Sequence, residues 1–269
     1  MKISLRIYLL IFCLFALNRA SAQSLVAYIS APDTQSSFLQ GTSGSDTETF
    51  NSLPQGDQST PYVSAIGTFQ FSSTAQAAIL PADEYGGANG TQYMAFGAQS
   101  GTSAPITINL NGSYNYFGFW FSAGDANNGI TLYSNGTEFA RFSTQDILNL
   151  LSQSQVTAIN GTTYNSSAYL GNPNNGEDSG EPFAYVDIVT NGVTFNTVVL
   201  DNSGTTGTGF ESDNDTVYVG TVTVPGTDVF VTDLAIVPEP SHYAELLGLL
   251  VLGLVGGRRL VNRSLSQGC

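Results

Sequence analysis

Seven Asn-Gly dipeptides, at 89–90, 111–112, 128–129, 135–136, 160–161, 175–176 and 191–192, punctuate this chain. Asn-Gly is the preferred two-residue connection of a β-hairpin, because both positions tolerate positive φ. The segments between them are short, alternating or apolar, and rich in β-branched and aromatic residues, as strands are. The expected strands are Leu25–Ile29, Thr47–Phe50, Ser64–Phe71, Tyr93–Phe96, Ile106–Leu110, Tyr116–Ser122, Ile130–Ser134, Glu138–Phe142, Phe183–Thr190, Thr194–Asp201, Thr208–Ser212 and Val217–Val224. Ile106, Ile108 and Leu110 alternate with Thr107 and Asn109, which buries one face. Tyr116-Phe117-Gly118-Phe119-Trp120-Phe121 is apolar on both faces, as a central strand of a two-layer structure would be. The clearest hairpin joins Ile130–Ser134 to Glu138–Phe142 through Asn135-Gly136.

One helix interrupts the pattern. Ser143 or Thr144 caps it, Asp146 lies in its first turn, and Ile147, Leu148, Leu150 and Leu151 form its apolar stripe, ending near Ser154. Residues 171–182, GNPNNGEDSGEP, read as a long polar loop. Many short strands with frequent turns and almost no helix define the fold class: an all-β, antiparallel β-sandwich, jelly-roll-like, with one short helix.

Both ends differ from this middle. Lys2 and Arg6 precede the apolar stretch Ile7 to Leu17, and Ala20-Ser21-Ala22 supplies the small residues of a cleavage site. This is the pattern of a secretory signal peptide over residues 1–22, with the mature chain beginning at Gln23. Near the other end, Pro238-Glu239-Pro240 is held extended by its prolines. The apolar run Leu246 to Val255 follows, and then Arg258, Arg259 and Arg263. Basic residues after an apolar helix stay cytoplasmic, which places the preceding domain outside.

That tail, with Pro238, Glu239, Pro240, the apolar helix and Arg258-Arg259, resembles the PEP-CTERM sorting signal of bacterial exported proteins. The resemblance implies recognition by an exosortase after signal peptidase has acted at Ala20 and Ala22. It also implies transient residence in the inner membrane and then release or attachment at the cell surface. The expected organisation is a signal peptide (1–22), an acidic β-sandwich ectodomain (23–236) and a sorting signal with a transmembrane helix and basic tail (237–263). Tyr116-Phe117-Gly118-Phe119-Trp120, the Ile130–Phe142 hairpin and Gly209-Phe210-Glu211-Ser212-Asp213-Asn214 are similar to the middle domain of many exosortase-dependent surface proteins. Such domains look related to carbohydrate-binding sandwiches.

Charge narrows the function. Between the two ends the chain carries one basic residue, Arg141, against nineteen acidic ones. Nucleic acid and anionic membranes are repelled by such a domain. It contains no cysteine, histidine or lysine. That excludes an internal disulfide framework, cysteine or histidine zinc sites, histidine-based triads and Schiff-base lysine chemistry.

What remains is oxygen chemistry. Glu48, on an early strand, and Glu211, Asp213 and Asn214, near the last strands, would converge on a structural calcium if first and last strands pair; ordinary surface or turn carboxylates are the other reading. Asn174-Asn175-Gly176-Glu177-Asp178 matches no EF-hand spacing and reads as a solvated loop. Asp83 and Glu84 are adjacent, and on a strand they would face opposite ways. A glycosidase needs two acids about 5–10 Å apart, a condition that nineteen acids meet by chance. Trp120 reads as core, with Tyr62, Tyr85, Tyr114 and Tyr164 as looser candidates for stacking on sugar rings. The expectation is therefore a non-enzymatic protein with a structural or adhesive role at the cell surface or in the extracellular matrix. The alternative is a carbohydrate-binding module, calcium-stabilised, with extracellular polysaccharide as partner.

Overall fold

The structure is a computed structural model and describes residues 24–224. The segment expected to be a signal peptide, with Lys2, Arg6, Ala20 and Ala22, and the tail expected to be a sorting signal, with Pro238, Glu239, Pro240, Arg258 and Arg259, lie outside the described residues. Among the described residues no helix is long and apolar enough to cross a membrane.

Among the described residues, sixteen strands and one α-helix follow one another. The first six are β1 (Ser24–Ile29), β2 (Ser45–Glu48), β3 (Gly56–Gln58), β4 (Tyr62–Val63), β5 (Gly67–Phe69) and β6 (Ala77–Leu80). Next come β7 (Tyr93–Gly97), β8 (Ile106–Tyr114), β9 (Tyr116–Ser122), β10 (Gly129–Ser134), β11 (Thr137–Ser143) and the helix α1 (Thr144–Leu151). The last are β12 (Gln155–Thr157), β13 (Thr163–Asn165), β14 (Ala184–Asn191), β15 (Phe195–Asp201) and β16 (Gly209–Tyr218).

They form two large antiparallel sheets and a separate β12–β13 ribbon. The larger sheet has the order β1-β14-β9-β16-β7-β6-β3, with β2 also paired to β16. The smaller has the order β11-β10-β15-β8-β5-β4. One apolar core lies between them, built from Phe117, Phe119 and Phe121 of β9, Val186 and Ile188 of β14, Ile106 and Ile108 of β8, and Val198 and Leu200 of β15. Phe119 stacks on Phe210 of its own sheet, centroids 6.3 Å apart, and reaches Phe142 of the opposite sheet at the same separation. Burial of each such ring stabilises the fold by about 1.5–3 kcal/mol. The all-β, two-sheet architecture expected from the turn pattern is therefore present.

The local signals hold unevenly. Asn135 and Gly136 have φ of 49° and 80° and close the β10–β11 hairpin. Asn111-Gly112, by contrast, lies inside β8, and Gly129 opens β10. The segments expected at 208–212 and 217–224 are joined in one strand, β16, which ends at Tyr218 and leaves 219–224 outside it; a bulge lies between Asp213 and Thr216, where Asn214 takes a φ of 52°. Five short strands, β3, β4, β6, β12 and β13, are additions; they are two to four residues long, too short for a period to register. In α1, Asp146 accepts the backbone N–H of Ser143 at 2.8 Å and its hydroxyl at 3.0 Å, which fixes the helix start.

The two sheets treat their outer faces differently. Along β8 and β15 buried and more exposed residues alternate, as on a half-solvated sheet. Along β9, β14 and β16 nearly every residue is buried. Segments around 30–44, 83–91 and 166–183 cover the outer face there. Leu39 and Ile159 pack on Tyr28, Tyr116 and Val189; Ala88, Ala123 and Phe183 pack with Trp120 and Tyr185. Trp120 is buried as expected, yet it lies beneath these loops and not between the sheets.

Candidate functional site: buried carboxyls on the covered face

Asp187 stands in the middle of β14, in a run that is otherwise apolar, and is fully buried. Its register partner on β9 is Gly118, which leaves room above the strand. Tyr116 donates its phenol to Asp187 Oδ1 at 2.6 Å, and Ser30 its hydroxyl to Oδ2 at 2.8 Å. Tyr116 is also 2.6 Å from the Ser37 hydroxyl. Burial raises the Asp187 carboxyl to about 7, and the two hydrogen bonds oppose the rise. This network ties the 30–44 segment to the sheet.

Asp213 does the same for the 83–91 segment. Its Oδ2 accepts the backbone N–H of Ala88 at 2.9 Å, and its Oδ1 that of Asn214 at 2.7 Å. Burial again raises it to about 7, against those hydrogen bonds. Asn214 directs its amide nitrogen to the carbonyl of Gln35 at 2.6 Å. Gln35 in turn reaches Asn89 and Asn174, so three covering segments meet at one polar knot.

The expected set of Glu48, Glu211, Asp213 and Asn214 is divided by the structure. Early and late strands do pair, through β2 and β16, and Glu48 lies directly opposite Asp215. Glu48 accepts the N–H of Phe50 at 2.5 Å and the phenol of Tyr62 at 2.9 Å. Its charge acts on Asp213 and Asp215. Asp215 is buried, bonded to Ser212, and raised well above the usual carboxylate range, first by burial and then by Asp213 and Glu48. Glu211 belongs elsewhere: it sits on the outer face opposite Ser122 of β9, and the charges acting on it are those of Asp125, Glu181 and Asp83. Among the described residues no group of three or more histidine, cysteine, aspartate or glutamate side chains is placed to hold a metal ion.

Further acidic side chains lie around Glu211. Tyr93 donates its phenol to Asp83 at 2.8 Å and lies within the field of Glu211. Asp125 accepts the N–H of Gly209 at 3.1 Å through Oδ2. Burial raises Asp125 and Glu181, the latter with help from Asp178 and Asp125. Asp178 is raised by burial and then by Glu84 and Asp83. Asp83 and Glu84 occupy a bend rather than a strand, so the opposed orientation expected of strand neighbours does not apply, and both charges act on Asp178. In the stretch expected to be solvated, residues 174–177 are exposed, but the loop is fastened: Asn172 Nδ2 donates to the carbonyls of Asp83 at 3.0 Å and Glu84 at 3.3 Å, and Asn174 Nδ2 to that of Gly87 at 2.7 Å.

Among the described residues no basic residue offsets this charge. Arg141, the one cation between residues 24 and 224, is exposed and pairs with Asp201 at 3.4 Å on the smaller sheet. Of the aromatic residues singled out for sugar stacking, Tyr85 is the one that is exposed, at 39%. Tyr62 is bonded to Glu48, Tyr114 is buried against Asn111, and Tyr164 accepts from Asn160.

Asp125, Asp187, Asp215, Gln99 and Ser122 were not marked by the sequence. A signal existed for Asp187, a lone acid inside the apolar run Ala184-Tyr185-Val186-Asp187-Ile188-Val189. Comparison with protein-family models and with curated proteins finds no match to this chain.

Proposed function

We propose that this is an exported, non-enzymatic protein of the bacterial cell surface or extracellular matrix, with a structural or adhesive role. Its tail is read by an exosortase and its leader removed by signal peptidase, with only transient residence in the inner membrane. Chain alternation between the sheets, β8 in one, β9 in the other and β10 in the first again, supports a jelly-roll-like sandwich.

One observation carries the non-enzymatic reading. Asp187 and Asp213 use their oxygens to hold covering segments on the larger sheet, through Ser30 and Ala88, and Glu48 binds Phe50 and Tyr62, the latter on the smaller sheet. Groups engaged in this way serve rigidity, which suits a protein exposed outside the cell. A carbohydrate-binding role is the second reading. It is favoured by Tyr85, whose exposed side chain stands beside Asp83 and Glu84, acceptors suited to sugar hydroxyls.

Intact-mass analysis of the protein recovered from its own host tests the first reading. A chain ending near Pro238–Pro240, alone or with an added group, supports sorting and processing. A chain extending to Cys269 overturns it. A glycan array tests the second: retention on a polysaccharide, lost in Tyr85→Ala, would establish binding.

A further inference from the structure

Most buried polar side-chain atoms in this fold have partners, as native interiors require. Six among the described residues do not. Three of the six belong to neighbouring side chains: Glu211 Oε2, Gln99 Oε1 and Ser122 Oγ. Glu211 and Ser122 are each 1% exposed and are directly opposed in the β16–β9 register, on the same face of the sheet. Side chains so placed have Cβ atoms about 4.5–5.5 Å apart. Gln99 reaches Glu211 from beyond β7, its amide nitrogen donating to Glu211 Oε1. Position 209 beneath them is glycine. A Cβ there would collide with Glu211 Oε1 and with both polar atoms of the Gln99 amide, so the space over the strand is kept for these groups. Asp125, half-buried, is anchored to the N–H of the same glycine.

The free carboxylate oxygen of Glu211 and the free amide oxygen of Gln99 are acceptors without donors, and the Ser122 hydroxyl beside them has unused lone pairs. Desolvated acceptors without donors cost about 1–3 kcal/mol each, and a cation removes that cost for all of them at once. Lysine and arginine do not supply it, since Arg141 lies on the other sheet. Hard divalent cations favour this ligand chemistry, and calcium accepts carboxylate, amide and water oxygens in irregular geometry. We propose that Glu211, Gln99 and Ser122, with Asp125 beside them, form a calcium-binding site beneath the covering loops. Glu181 and Asp83 add long-range attraction, since their charges already act on Glu211. This site differs from one drawn through Glu48, Asp213 and Asn214, whose oxygens are engaged by backbone and phenol donors or lie in a different group. It is independent of the surface role proposed above.

The test is a calcium titration of the full-length chain in mild detergent, read by calorimetry and by thermal unfolding. Saturable binding is expected, with a rise in Tm of about 5–10 °C at a hundredfold excess over the dissociation constant, reversed by chelator. Glu211→Gln should abolish both effects while keeping the calcium-free Tm at or above that of the parent. Glu138→Gln, which removes an exposed acid on β11, should leave both unchanged. Ser122→Ala, a small change in a folded context, should weaken binding about tenfold if Glu211→Gln does not fold. Absence of a saturable shift in the parent overturns the site. So does a shift that survives in Glu211→Gln or, where that variant does not fold, undiminished binding in Ser122→Ala.

Discussion

The phenol of Tyr116 lies 2.6 Å from the carboxyl of Asp187 on the outward face of the larger sheet, and neither residue is exposed. Tyr116 joins two layers, since the same oxygen meets Ser37 in the covering segment. Tyr116→Phe keeps the ring and removes both contacts. It should destabilise the protein by about 1–3 kcal/mol, because Ser37 and Asp187 are left short of a partner. Denaturant unfolding should show a lower midpoint with an unchanged slope.

Asp187 and Asp213 sensitise the fold to pH. Both carboxyls are raised from 3.8 to about 7 in the folded protein. Between about pH 4 and 7 the folded chain therefore holds protons that the unfolded chain has released. Folding is favoured at the acid end of that window and weakens as pH rises through it, by up to ~1.4 kcal/mol per pH unit for each group. Thermal unfolding should give a Tm that falls from pH 5 to pH 8. Asp187→Asn, which mimics the protonated acid, should flatten that slope. A Tm that rises over the same range would contradict the assignment.

Gly118 is required by what lies over it. A Cβ at 118 would overlap the Tyr116 phenol and come within 2.8 Å of the Tyr185 ring. Neither ring can retreat, as both are fully buried. Gly118→Ala should cost about 1–3 kcal/mol through overpacking, although its backbone conformation suits any residue. Tryptophan fluorescence would report the loss, since Trp120 is two residues along the same face.

The proposed sorting role is tested at Pro238, Glu239 and Pro240, which lie outside the described residues. Replacement of Pro238, Glu239 and Pro240 by alanine should leave the Tm of the ectodomain unchanged and block processing in the host. Unprocessed chain should then accumulate in the membrane fraction, visible as a higher mass on immunoblot.

Several parts of this architecture are legible in local sequence. Tyr116–Ser122 is a strand with the boundaries its apolar run indicates, Asn135-Gly136 closes its hairpin, and Ser143 with Asp146 begins the helix. These features depend on neighbours a few residues away. Asn111-Gly112 shows the limit: it closes no hairpin but lies within β8, in the irregular stretch between the Asn109–Thr197 and Tyr114–Phe195 pairs with β15. The bulge at Asn214 is a second case. It lets one strand serve two partners, β7 along 209–212 and β2 along 215–218, a demand that no local pattern announces.

The sequence alone determined the strand-rich class, the excess of acid over base, and the lack of histidine, cysteine and lysine between the two ends. Turn propensity, periodicity and composition are local or additive, so they can be read without coordinates. Tertiary structure decided which acids meet. It set Glu48 against Asp215 and separated both from Glu211, and it buried Asp187 beneath a loop whose Ser30 is 157 residues away. Such pairings follow from sheet order and from loops folding back over a face, and they are fixed by packing between distant segments.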